Sequence, residues 1–170
     1  MRLISGLLTL LVAGCGGLVM KEYVQPAGVN VATVQIQNRS KQPLGVHVYE
    51  NAYDCSEKRR VIWVPPASEL SIKTKAPELT AYSLNTESGL GLRYCLLAFS
   101  FAPKVSSEYV ITFVDTSEGC GLTAAEKVGQ ESVSIALTQR DFKRPFLASG
   151  ASCTPLATSP SGVPAEEAWE

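Results

Sequence analysis

Apolar and polar residues alternate along most of this chain. In Thr33-Val34-Gln35-Ile36-Gln37 the apolar side chains fall on every second position, and Leu44, Val46 and Val48 alternate with Gly45, His47 and Tyr49. Successive side chains of a strand point to opposite faces, so a period of two marks a strand with one face in a core. The same pattern predicts strands over residues 60–64, stopped by Pro65-Pro66, over Glu69–Lys75 with Leu70 and Ile72 inward, and over residues 81–84. Tyr94–Phe101 is apolar on both faces, as a central strand is, and residues 109–114 follow a break at Pro103. Residues 122–127 fit a strand or a helical turn equally. Val133, Ile135 and Leu137 alternate with Ser134, Ala136 and Thr138. Seven to nine short strands divided by turn residues predict an all-β fold. The expected architecture is an antiparallel, immunoglobulin-like β-sandwich, with a small closed barrel as the alternative.

The first residues break this pattern. Met1-Arg2 is a short positive start, residues 3–13 (LISGLLTLLVA) are apolar, and small residues follow, which is the layout of a secretory signal. Val12-Ala13-Gly14-Cys15 resembles the lipobox of bacterial lipoproteins, the motif cut by signal peptidase II. Val12 stands where Leu is commonest in that family. The resemblance implies cleavage before Cys15, a diacylglyceryl group (palmitate and similar chains) on its sulfur, and acylation of the freed amine. Two or three acyl chains on one residue hold a protein on a membrane, where a single chain binds only marginally. The competing readings are an ordinary signal with an accidental cysteine, and a membrane-spanning anchor that continues to Met20. The Gly14-Cys15-Gly16-Gly17 stretch weakens the second as a helix. Gly16 occupies the place where an inner-membrane retention signal puts Asp, so the resemblance implies the outer membrane, with the domain facing the periplasm.

The expected organisation is a signal peptide over 1–14, a lipidated tether over 15–30, a sandwich domain over 31–153, and a disordered tail over 154–170. The tether shows no period and contains Gly16, Gly17, Pro26 and Gly28, while the tail (TPLATSPSGVPAEEAWE) is rich in Pro, Ser and Ala. Apart from Cys15, the four cysteines Cys55, Cys95, Cys120 and Cys153 suit two disulfides in an oxidising compartment. Three pairings are possible, and the order of the predicted strands favours Cys55–Cys95 with Cys120–Cys153. The segment Tyr49-Glu50-Asn51-Ala52-Tyr53-Asp54-Cys55 with Arg59-Arg60, and the series Cys95, Phe101, Pro103, Tyr109, Phe113, Cys120, are similar to small envelope lipoproteins of Gram-negative bacteria. That likeness covers roughly 34–120 and implies the sandwich. The turn Val105-Ser106-Ser107-Glu108 departs from it in lacking a glycine before the tyrosine.

Charge narrows the function classes. With 15 basic and 16 acidic residues, and Arg2 lost with the leader, the chain lacks the basic surplus that nucleic acid or a polybasic membrane contact requires. The single histidine, His47, sits on the polar side of its strand and is expected to be exposed or satisfied rather than a catalytic base. One histidine and four oxidised cysteines supply no zinc site, and no C-x-x-C, G-x-S-x-G, S-x-x-K or glycine-rich phosphate loop occurs. The expectation is therefore no enzyme and no cofactor. Lys58-Arg59-Arg60 is the densest positive cluster, read either as a solvated loop or as a partner surface with the nearby aromatics Tyr49, Tyr53 and Trp63, although Trp63 also suits the core. The reading that remains is a lipid-anchored binding or structural module of the envelope with a protein partner. The alternatives are a periplasmic inhibitor of a hydrolase and an accessory lipoprotein of a secretion or envelope-assembly machine.

Overall fold

The structure, a computed structural model, describes residues 20–87, 94–117, 119–143 and 150–156. The leader, Cys15 and residues 157–170 of the tail lie outside the described residues. The described residues form two five-stranded sheets facing each other across one core. In chain order the strands are β1 (Val31–Asn38), β2 (Leu44–Asn51), β3 (Ser56–Val64), β4 (Glu69–Lys75), β5 (Thr80–Glu87), β6 (Tyr94–Phe101), β7 (Glu108–Asp115), β8 (Cys120–Val128), β9 (Glu131–Ser134) and β10 (Thr138–Arg140). The first sheet runs β4-β1-β7-β8-β9 and the second β10-β6-β5-β2-β3. All neighbours are antiparallel except β1 and β7, which run parallel with Val34 opposite Tyr109.

The alternating residues do what the period demands. Val34, Ile36, Leu44, Val46, Ile72, Leu84, Ile111 and Phe113 are fully buried between the sheets. Tyr82 stacks on Phe99 with ring centroids 5.4 Å apart, and Phe101 meets Tyr109 edge-on at 5.1 Å, geometries that add to the area each ring buries. Asn38 joins the sheets from inside. Its amide donates to the carbonyls of Gln42 (2.8 Å) and Val64 (3.0 Å), and its oxygen accepts from the Ser40 backbone and hydroxyl. A buried amide is tolerated when its hydrogen-bonding groups are met in this way.

Three local expectations change. Residues 120–128 are strand, because they pair along their whole length with β7 (Val110 opposite Ala125, Phe113 opposite Leu122). Residues 133–137 do not make one inward-facing strand. β9 ends at Ser134 with every residue exposed, and only Ile135 and Leu137, past its end, pack against the core. The cysteines pair as Cys55–Cys153 and Cys95–Cys120, correcting the favoured connectivity. β6 and β8 lie in facing sheets, which brings Cys95 and Cys120 to a Cα separation of 6.3 Å; Cys55 and Cys153 are 5.2 Å apart. Neighbourhood along the chain is a poor guide when strands of opposite sheets face each other.

The ends of the domain are tied down. The Tyr23 amide donates to the Arg60 carbonyl at 2.8 Å, and the Arg60 amide donates to the Lys21 carbonyl at 3.0 Å. Across the gap between the sheets, the Tyr23 hydroxyl donates to the Lys73 carbonyl at 2.9 Å, while the Lys73 amide donates to Gln25 Oε1 at 2.9 Å. Residues 21–25 thus strap the edge strand β3 to the edge strand β4, so the segment read as tether is docked from Lys21 onward. At the other end Thr154 donates to Asp141 and Leu156 to Tyr53, which places the start of the supposed tail against the domain as well.

Candidate functional site

The run Lys58-Arg59-Arg60 does not form one surface. It lies in β3, where alternation sends Arg59 to one face and its two neighbours to the other. A bulge follows the run: Val46 pairs with Ile62 but His47 with Arg60, leaving Val61 without an opposite residue. Lys58 and Arg60 consequently stand on the outer face of the second sheet beside Tyr49 and His47. Arg59 is buried and held by Glu50 in a two-pronged ion pair (Nε to Oε1 2.8 Å, Nη2 to Oε2 2.7 Å), with Glu57 at 3.3 Å. The Arg59 hydrogen bonds hold the Glu50 carboxyl below its ordinary range. Arg60 lies 3.5 Å from Glu22 of the strap. Arg59 is a structural cation, so the three residues do not share one face, and only Lys58 and Arg60 stay together on the outer side.

His47 is not exposed. It is 7% accessible, and Nδ1 has no hydrogen-bond partner among the described residues. Burial, with Lys58 and then Arg60 alongside, pulls its pKa from 6.5 to about 3, so the ring is neutral at ordinary pH. The reason is a second core on the outer face of this sheet, formed by Tyr49, Ala52, Cys55, Ala81, Ala98 and Cys153. Periodicity marks the outer positions of β2 as polar, but the disulfide returns residues 150–156 over them. Arg140 fastens that cover, donating to the carbonyls of Ala52 (2.6 Å), Tyr53 and Thr154 (3.0 Å). Tyr49 is buried and donates to Ser83 Oγ at 3.0 Å, so it is no surface anchor. Trp63, which suited either the surface or the core, is 43% exposed, with the end of its ring over Gly45.

Two features of the surface can engage a partner. The first is an open groove of about 910 Å³ beneath the strap. Its walls include Tyr23, Val48, Leu79 and the ion-paired Glu50–Arg59 and Lys75–Glu78. The second is the far edge of the first sheet. The strap bonds to β3 and β4, whereas among the described residues no backbone bond from another segment reaches the outer side of β9. All four β9 residues are exposed, with Val133 at 49% and the adjoining Val128 at 56%. Nothing but the length and position of β9 announces this edge in the sequence. Among the described residues no group of three His, Cys, Asp or Glu side chains could hold a metal ion, and no helix is long and apolar enough to cross a membrane. The chain matches neither any protein-family model nor any curated protein sequence with which it was compared.

Proposed function

We propose that this chain is a lipid-anchored, non-catalytic binding module of the bacterial cell envelope. It is held through acyl chains on Cys15 in the outer membrane and takes a protein partner as an added strand along β9. The observation that carries the reading is the contrast between sheet edges: β3 and β4 are strapped and the three-residue β10 runs straight into the segment bonded to residues 152–154, while no further backbone bond reaches the outer side of β9 among the described residues. Proteins ordinarily guard a bare edge, because its free N–H and C=O groups are a template for another chain. Strand addition converts that liability into affinity, with the backbone supplying the bonds and the flanking valines supplying specificity. Two disulfides support export to an oxidising compartment. The lipobox-like tetrapeptide supports the anchor.

The test is crosslinking in cells from a photoreactive residue in place of Val133, with Ile62 in β3 of the other sheet as a control, 51% exposed. One discrete protein adduct from position 133 is expected, lost when the adjoining exposed Val128 is replaced by Lys in an otherwise stable protein. Equal or absent adducts at the two positions would refute the edge. The anchor is read separately: the mature chain should begin at Cys15 with added acyl mass, and Cys15→Ser should abolish it.

A further inference from the structure

The strap sets a limit on where the domain can sit. If Cys15 carries the lipid, six residue steps separate it from Lys21, whose carbonyl is already bonded to β3. Six residues reach at most about 20 Å even when fully extended. The strapped side of the sandwich is therefore never far from the lipid headgroups, whatever path those residues follow. In the first sheet β4 is at that side and β9 is at the opposite edge, four strand spacings away, about 19 Å.

The chemistry of the strapped side suits contact with lipid. Val24 and Val29 are 85% and 83% exposed, and Ile62 in the edge strand β3 is 51% exposed. Such aliphatics are normal singly, but these three belong to one short segment and the strand beside it. The cations Lys21, Arg60, Lys73 and Lys75 stand among them. Of the anions there, Glu22 pairs with Arg60, Glu78 with Lys75, and both Glu50 and Glu57 with Arg59, while Glu69 at the far end of β4 accepts from Gln37; Lys21 and Lys73 form no ion pair among the described residues, so cations and anions are about balanced on this side. Each basic residue near an anionic lipid surface contributes about 1 kcal/mol, and exposed aliphatics add their own transfer free energy.

We infer that the domain lies on the bilayer with its strap and the β3 and β4 edges against the lipid, presenting the β9 edge outward. The inference rests on the Cys15 anchor proposed above and deepens it: the anchor orients the binding edge as well as retaining the protein. The two bare requirements of the module, a membrane contact and an accessible strand edge, are thereby placed on opposite sides of one sandwich.

The test uses the full lipidated chain in vesicles of phosphatidylethanolamine and phosphatidylglycerol. Benzoylphenylalanine replaces Val24 in one sample and Val133 in another, both exposed positions that should tolerate the ring. After irradiation, lipid adducts are counted by intact mass, which also reports the acyl chains on Cys15. Several-fold more lipid adduct from position 24 than from position 133 is expected. Acylated protein that crosslinks to lipid equally from both positions, or mainly from 133, overturns the orientation and leaves the anchor standing. Absence of acyl mass overturns the anchor and the orientation with it.

Discussion

Arg140 Nη1 donates to the Ala52 carbonyl at 2.6 Å, joining β10 to the turn after β2 across 88 residues of sequence. The same guanidinium reaches Tyr53 and Thr154, so one planar group closes three chain segments around the second core. Burial opposes its charge and the nearby Asp54 carboxylate favours it.

Removing that group should therefore cost more than an average buried contact. Arg140→Ala removes the side-chain donor from the Ala52 and Thr154 carbonyls and one of two donors from Tyr53, in a site where Arg140 is only 4% accessible. A loss of about 2–4 kcal/mol is expected in urea unfolding. Arg140→Lys should recover only part of it, because an ammonium cannot match the fork geometry. A change within about 0.5 kcal/mol for Arg140→Ala, as at an ordinary surface site, would show that the clamp is not needed.

The two disulfides should contribute unequally. Cys55–Cys153 closes a sequence separation of 98 and Cys95–Cys120 one of 25. On the chain-entropy model these correspond to about 4.7 and about 3.5 kcal/mol. Replacing Cys55 and Cys153 together by Ala should lower the unfolding free energy more than replacing Cys95 and Cys120. It should also expose residues 150–156 to protease. Peptide mapping without reduction checks the connectivity itself.

Acid should weaken the fold through His47. Its folded pKa of about 3 lies below the ordinary 6.5, so the unfolded chain takes up the proton first. The contribution is intact above about pH 6.5 and is lost as pH falls toward 3, at up to about 1.4 kcal/mol per pH unit. Lys58 and Arg60 face the ring and deepen the effect. Glu50 and Glu126, held low by Arg59 and Lys104, lose their contributions only at the acid end of this window. Chemical denaturation of His47→Gln across this range should give a flatter pH profile than the parent. Parallel profiles would mean that His47 takes up its proton as readily in the folded chain as in the unfolded one.

Gly45 should resist even a methyl group. A Cβ there would lie 2.8 Å from Asn85 Oδ1 and 3.1 Å from the Trp63 ring. Gly45→Ala should destabilise by about 1–3 kcal/mol and shift Trp63 emission as the ring is pushed outward. Trp169→Phe in both proteins isolates that signal. Unchanged stability and emission would show that the ring moves aside freely.

Much of the sandwich was legible before any coordinates, and the reason is local. Val34 and Ile36, or Leu44, Val46 and Val48, carry a period of two that only a half-buried strand satisfies. Residues 122–127 were ambiguous because Thr-Ala-Ala-Glu-Lys favours neither state on its own; pairing with β7 decided them. Asn38 and Arg140 gave no signal, since a buried amide or guanidinium looks in sequence like any polar residue. His47 shows the same limit: its alternation is correct, but alternation reports which face a residue takes and not what covers that face, and the ring is buried.

The strand-rich fold class and the inward-facing positions follow from residues a few places apart, and the four cysteines for two disulfides from composition, so all three can be read along the chain. Packing across the two sheets chose which cysteines meet, docked residues 21–25 as a strap, and left the outer side of β9 without a further strand among the described residues. Those outcomes depend on which strands end up at an edge or across the core from one another. Long-range packing sets that, and no short window of sequence contains it.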